Sequence, residues 1–98
     1  MPTLSLRLFR DALDPKARLD ALAARPRVVF AREGAITVRS DGQVATLGPQ
    51  SAGFGARDCA LVAGNAGASL LRWELCAPSA VPGPGTLLMD SAVSLDDL

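Results

Sequence analysis

Histidine and tyrosine are both missing from this chain of 98 residues. Histidine is the commonest general base near neutral pH and the commonest transition-metal ligand. Its absence excludes serine–histidine and cysteine–histidine dyads, the histidine-based iron site and the usual zinc sites. Aromatics are scarce, with three Phe and one Trp, so Ala, Val and Leu must build the core. A charge surplus is missing too, because Lys+Arg 10 balance Asp+Glu 10. Nucleic-acid binding needs a basic surplus to displace counterions, and a polybasic membrane anchor needs the same. Neither nucleic acid nor a membrane is therefore an expected partner. No apolar run reaches the roughly 20 residues of a membrane helix. Met1-Pro2-Thr3-Leu4 lacks the charged start and apolar stretch of a signal peptide. The expected location is cytoplasmic, where Cys59 and Cys76, on separate predicted strands, are free thiols rather than a disulfide.

What remains is enough for one domain over residues 1–98. A domain of this size buries only roughly 60–68% of the surface its unfolded chain exposes, so its core is modest. Leu4, Leu6 and Leu8 alternate with Ser5 and Arg7, which predicts a half-buried strand with the leucines inward. Asp14-Pro15 predicts a helix start, with Asp14 as N-cap and Pro15 in the first turn. Leu19, Leu22 and Ala23 would share one face of that helix, and Pro26 would end it near Arg25. From Arg27 the pattern is β. Val28-Val29-Phe30-Ala31, Ala35 to Arg39 and Gln43 to Leu47 read as a meander with turns at Glu33-Gly34 and Ser40-Asp41-Gly42. Gly48 to Gly55, GPQSAGFG, reads as a loop. Cys59 to Ala63 and Ser69 to Cys76 read as strands about a Gly64-Asn65-Ala66-Gly67 turn. In the last strand Leu71, Trp73 and Leu75 alternate with Arg72 and Glu74, which predicts the apolar set in the core and Glu74 outside. Pro78 to Gly85 is irregular. Thr86 to Leu98 keeps enough apolar residues to pack on the domain or on a partner.

Residues 27–78 resemble the cupin family. The shared pattern is Arg32-Glu33-Gly34-Ala35-Ile36-Thr37-Val38, the Ser40-Asp41-Gly42 hairpin tip, and Ala68-Ser69-Leu70-Leu71-Arg72-Trp73-Glu74-Leu75. The resemblance implies an all-β, small antiparallel β-barrel of jelly-roll type with a cavity, preceded in this chain by the short helix read from Asp14-Pro15. It also marks where the family's metal ligands should stand. With Gly34 as the closing glycine of the first motif, its carboxylate position holds Arg27, and its histidine pair falls near Asp20 to Ala23. With Gly48 opening the second motif, the proline, second glycine and histidine positions hold Phe54, Ala56 and Cys59. A cation and a thiol at ligand positions imply a barrel without the family's metal chemistry, and no cofactor is expected.

Four residues stand out as candidate ligand-binding groups. Arg27 and Arg57 could grip an anion at the barrel mouth, or instead pair with carboxylates such as Glu33, Asp58 or Asp20. Cys59 could be a reactive thiol activated by Arg57, or core filler. Trp73 could stack on a ring-shaped ligand, or simply fill the core. The loop Gly48 to Gly55 lacks the Lys-Ser/Thr of a phosphate cradle. Asp90, Asp96 and Asp97 miss the spacing of a calcium loop and read as a solvated tail. Three function classes follow: a metal-free module that binds a small organic anion, a structural or interaction protein acting as a homodimer, and a metal-free enzyme using Cys59. The homodimer would form by adding Leu4 to Phe9 or Thr86 to Leu95 to the other subunit's sheet. The first class is the leading expectation.

Overall fold

The computed structural model of the chain describes residues 3–40, 42–81 and 83–94. Asp41 at the expected hairpin tip and Leu95, Asp96 and Asp97 of the expected tail lie outside the described residues. Every regular element among the described residues is a strand: β1 (Thr3–Leu13), β2 (Arg18–Leu22), β3 (Arg27–Glu33), β4 (Ile36–Ser40), β5 (Gln43–Leu47), β6 (Ser51–Gly55), β7 (Cys59–Ala63), β8 (Ala68–Cys76) and β9 (Thr86–Ser94). They form two antiparallel sheets, one in the order β6-β3-β8-β1-β9 and the other in the order β2-β7-β4-β5. The expectation of an all-β chain holds. The sheets are not closed into a barrel, because no ladder joins them among the described residues.

The expected N-terminal helix is absent, and its start signal turns out to encode a turn. Ala17 N–H donates to the Asp14 carbonyl at 2.9 Å, and Lys16 takes φ 62. Proline followed by a residue with positive φ is the pattern of a type II turn. Asp-Pro therefore reverses the chain, and β2 pairs with β7, with Arg18 opposite Val62 and Leu19 opposite Leu61. The same device recurs in the glycine-rich segment. Gln50 has φ 66, and Ser51 N–H donates to the Gly48 carbonyl at 3.2 Å. The segment is thus a turn feeding β6 rather than a continuous loop, and β6 pairs with β3. The Glu33-Gly34 turn is where expected. Gly34 has φ 74, and any Cβ there would run into the Gly67 carbonyl.

Between the sheets, Leu22, Val29, Ala31, Ile36, Leu61 and Leu70 form the apolar core. Burial of such side chains stabilises by about 1.5–3 kcal/mol each. The largest departure from expectation lies in β1 and β8. Their inward face carries Ser5, Arg7, Phe9 and Asp11 on β1, and Leu70, Arg72, Glu74 and Cys76 on β8, all buried. Leu4, Leu6, Leu8, Leu71, Trp73 and Leu75 point the other way and are only half-buried. Trp73 is therefore not in the core, and Glu74 is not on the outside. Period-two alternation separates two faces but carries no label for which one the second sheet covers.

Candidate binding cleft

Five ionised side chains enter the interior from β1, β3 and β8 because the odd positions of β1 and β3 and the even positions of β8 share one face. The register sets Glu74 opposite Arg27 on one side and Arg7 on the other. Arg27 donates from Nε to Glu74 Oε2 at 3.0 Å, and Arg25 donates to Glu74 Oε1 at 3.3 Å. Arg72 reaches the same Glu74 Oε2 and grips Asp11 with Nε at 2.9 Å and a second nitrogen at 3.3 Å. Its guanidinium also lies 4.3 Å from the centre of the Phe9 ring. Among the described residues no buried side-chain nitrogen or oxygen lacks a hydrogen bond. A buried charge is tolerable only when partnered in this way.

The network also orders the proline- and glycine-rich segment after β8. Arg7 donates to the carbonyls of Ala80 at 2.8 Å and Pro78 at 3.1 Å, and to Asp90 on β9 at 3.1 Å. Arg72 donates to the Pro84 carbonyl at 2.6 Å. Irregular backbone with few internal hydrogen bonds is thus satisfied by guanidinium donors.

Burial alone would raise the Glu74 carboxyl, but the hydrogen bonds and charges of Arg72 and then Arg27 outweigh it and hold the pKa below the usual value. Burial acts on Arg72 in the deprotonating direction, yet Asp11 and Glu74 more than offset it. Both groups stay ionised in the interior.

Beside this network, between β3 and β6 of one sheet and β4 and β5 of the other, lies a cleft of about 430 Å³. Its walls include Val29, Val38, Leu47 and the exposed Val44. Arg27 and Cys59 line its buried end, and Arg57 stands at its exposed rim. Arg27 donates from one terminal nitrogen to the Cys59 sulfur at 3.5 Å and to the Arg57 carbonyl at 3.1 Å, and from the other to the Ala23 carbonyl at 2.7 Å. Burial pushes the Cys59 thiol up, against the opposing pull of Arg27. The thiol therefore stays protonated at neutral pH, whereas nucleophilic chemistry needs the thiolate.

Three of the four residues singled out from the sequence, Arg27, Arg57 and Cys59, come together at this cleft. Trp73 does not, since it projects from the opposite face of β8. The partner of Arg27 is Glu74 rather than Asp58 or Asp20, and Asp20 instead meets Arg18 at 2.9 Å. Sequence reading missed Glu74, Arg72, Asp11 and Arg7 as interior groups. The signal was present as charges at period two within two otherwise apolar strands, but it was assigned to solvent. The donor set at the cleft does not fit a metal. Arg27 is itself a cation, Cys59 holds its proton, and Glu74 is engaged by three arginines.

No family model matches the chain, and no curated protein matches it. Among solved structures, the chain is similar to TT1209 from Thermus thermophilus, at 26% identity and a TM-score of 0.61 over 74% of this chain and 75% of that one. It is also similar to the conserved SPY1581 protein of unknown function from Streptococcus pyogenes, at 12% identity and a TM-score of 0.63 over 81% of this chain and 77% of that one. The second likeness is one of fold alone.

Proposed function

We propose that the chain is a metal-free, cupin-like jelly-roll module that binds a small organic acid in the cleft between its sheets. The observation that carries this reading is a cleft of about 430 Å³ with aliphatic walls and arginines at one end. That volume falls within the range of about 300–1,000 Å³ in which small-molecule sites occur. The chemistry fits a ligand with an apolar body against Val29, Val38 and Leu47 and a carboxylate directed toward Arg57 and the Arg27 end. The charge balance supports an anion. Arg25, Arg27 and Arg72 face Glu74 and Asp11, which leaves one positive charge in excess beside the cleft.

The test is a thermal-shift screen of short-chain carboxylates. A ligand that binds only the native state stabilises it by about 2.7 kcal/mol at 100 times its Kd. Arg57→Ala and a cleft-filling Val38→Phe should each remove the shift while leaving the unliganded protein folded. A screen with no effect on the wild type, or a shift that survives both variants, overturns the reading. Arg27→Ala is a poorer probe, because it also strips a partner from buried Glu74.

The alternative of a thiol enzyme loses its support with the raised Cys59 pKa.

A further inference from the structure

β6 sends no side chain into the cleft that it flanks. Register sets Gly55 opposite Arg27 and Gly53 opposite Val29, and residues directly opposite share a face, so both glycines face inward. On the next three strands the Gly55 row carries Arg27, Glu74 and Arg7, and the Gly53 row carries Val29, Arg72 and Phe9. A glycine within a strand weakens it and marks a bulge, a bend, or a close approach by another backbone or a ligand. The ladder of β6 with β3 runs without a register shift, which leaves no bulge. Neither glycine takes a positive φ. No backbone crowds either one. A Cβ added at Gly55 would meet nothing within 4 Å, and at Gly53 its nearest neighbour would be the Leu47 side chain, at 3.3 Å. The fold itself therefore has no use for glycine at Gly55, and both glycines line the cleft.

We infer that Gly53 and Gly55 shape the cleft into a slot for a flat ring, so that its ligand is an aromatic ring bearing a carboxylate. This rests on the reading of the cleft as an organic-acid site and narrows it. Sheets packed face to face stand about 10 Å apart, and side chains fill that gap from both sides. Where one side supplies none, about half of the gap, roughly 5 Å, stays open. Non-bonded carbon atoms touch at about 3.5–4.0 Å, so the slot takes a single layer of atoms. An aromatic ring is one layer thick, whereas a saturated ring is puckered and a branched chain is bulkier still. The two bare positions lie about 6.8 Å apart along the strand, the span of one ring with its substituent.

The surroundings of the slot orient the ring. Leu47 closes the Gly53 end, and Val38 of the other sheet also lines the cleft. Arg27 stands in the same row as Gly55, and Arg57 lies two residues beyond it at the rim. The apolar edge of the ring thus meets Leu47, and its carboxylate points along β6 toward the guanidinium end. The excess positive charge beside the cleft favours that direction. With no Cβ at Gly55, the ring lies against the bare peptide of the strand. A side chain there would take the place of the ring. β6 is an edge strand, so the ligand reaches the slot from solvent without parting any ladder.

The experiment compares benzoate with cyclohexanecarboxylate, which has the same charge and the same carbon skeleton but a puckered ring. Binding is followed by thermal shift and by the amide resonances of Gly53 and Gly55 in isotope-labelled protein. Benzoate should bind about 2- to 10-fold more tightly, the range that ring stacking adds, and its ring current should move both glycine amides. Gly55→Val fills the slot. It should raise the unliganded melting temperature by about 2–8 °C, as loss of a strand glycine does in a chain of this size, and abolish the benzoate shift. Should Gly55→Val fail to fold, the two acids on the wild type decide alone. Cyclohexanecarboxylate bound as tightly as benzoate overturns the ring and leaves the cleft an acid site. Benzoate that binds without moving Gly53 and Gly55, or that still binds a folded Gly55→Val protein, overturns the slot. A folded Gly55→Val protein less stable than the wild type does so too, because it gives the glycine a structural role. Failure of every carboxylate to bind the wild type removes the acid site and the ring together.

Discussion

The two faces of the five-stranded sheet invert the usual relation between polarity and burial. Its inward face carries Arg7, Asp11, Arg27, Arg72 and Glu74, and its outward face carries Leu6, Leu8, Leu71, Trp73 and Leu75. The same strands supply both sets, one residue apart. The four-stranded sheet behaves conventionally, with Ile36, Leu61 and Ala63 inward and Arg39 outside. Half of the interior is therefore held by dispersion and water exclusion, and half by paired charges whose desolvation cost is offset partner by partner.

The sharpest way to break this comparison is to remove the hub of the charged half. Arg72→Met strips Asp11 of its guanidinium and Glu74 of one of three, and releases the Pro84 carbonyl. Truncating one partner of a buried pair costs about 3–5 kcal/mol, and chemical denaturation should show a loss of that size. A loss below about 1 kcal/mol would mean that the network is not buried as described. Replacing Arg72 and Asp11 together by Met and Leu should cost less than Arg72→Met alone, because Asp11 is then not left without a partner and Glu74 keeps Arg27 and Arg25.

Acid separates the two halves without mutation. Glu74 has a folded pKa held below its unfolded value, which is about 4.3. Its contribution is fully present above that unfolded value and is lost as pH falls through the folded one. Urea midpoints should therefore be flat near neutrality and fall below about pH 4. Glu74→Gln should start less stable at pH 7 and lose less on acidification. A variant that retains the full acid dependence of the wild type would assign that dependence to other carboxylates.

The outward face should respond more weakly. Trp73→Ala, which a core position would make a loss of about 3–5 kcal/mol, should cost no more than about 2 kcal/mol, because the ring is only half-buried. The smallest effect belongs to the rim. Arg57→Ala should change unliganded stability by no more than about 0.5 kcal/mol, as exposed substitutions do. A larger loss would give Arg57 a structural role in place of the binding role.

Much of the fold was legible in the chain. Most strand positions from β3 onward follow β-branched and alternating runs, and the turns at Gly34 and Gly67 follow the need for positive φ. Three residues of the cleft were singled out as well: Arg27 and Cys59 from the expected likeness to cupin ligand positions, and Arg57 from standing two residues before Cys59; all three line the cleft, Arg57 from its exposed rim. Asp14-Pro15 misled because a helix N-terminus and a type II turn share the same opening, and only the pairing partner on β7 decides between them. Arg72 and Glu74 misled because their inward placement depends on Asp11 and Arg27, residues 61 and 47 positions distant from them in the sequence.

By itself, the sequence determined an all-β chain, without histidine chemistry, whose strands have one apolar and one polar face. Those properties follow from composition and from the two-residue period of extended backbone, both of which are local. Only the tertiary structure decided that the sheets stay open at a cleft, and which face of β1 and β8 turns inward. That choice rests on complementary charges from three strands meeting in one register, an arrangement that exists only once β1, β3 and β8 lie side by side.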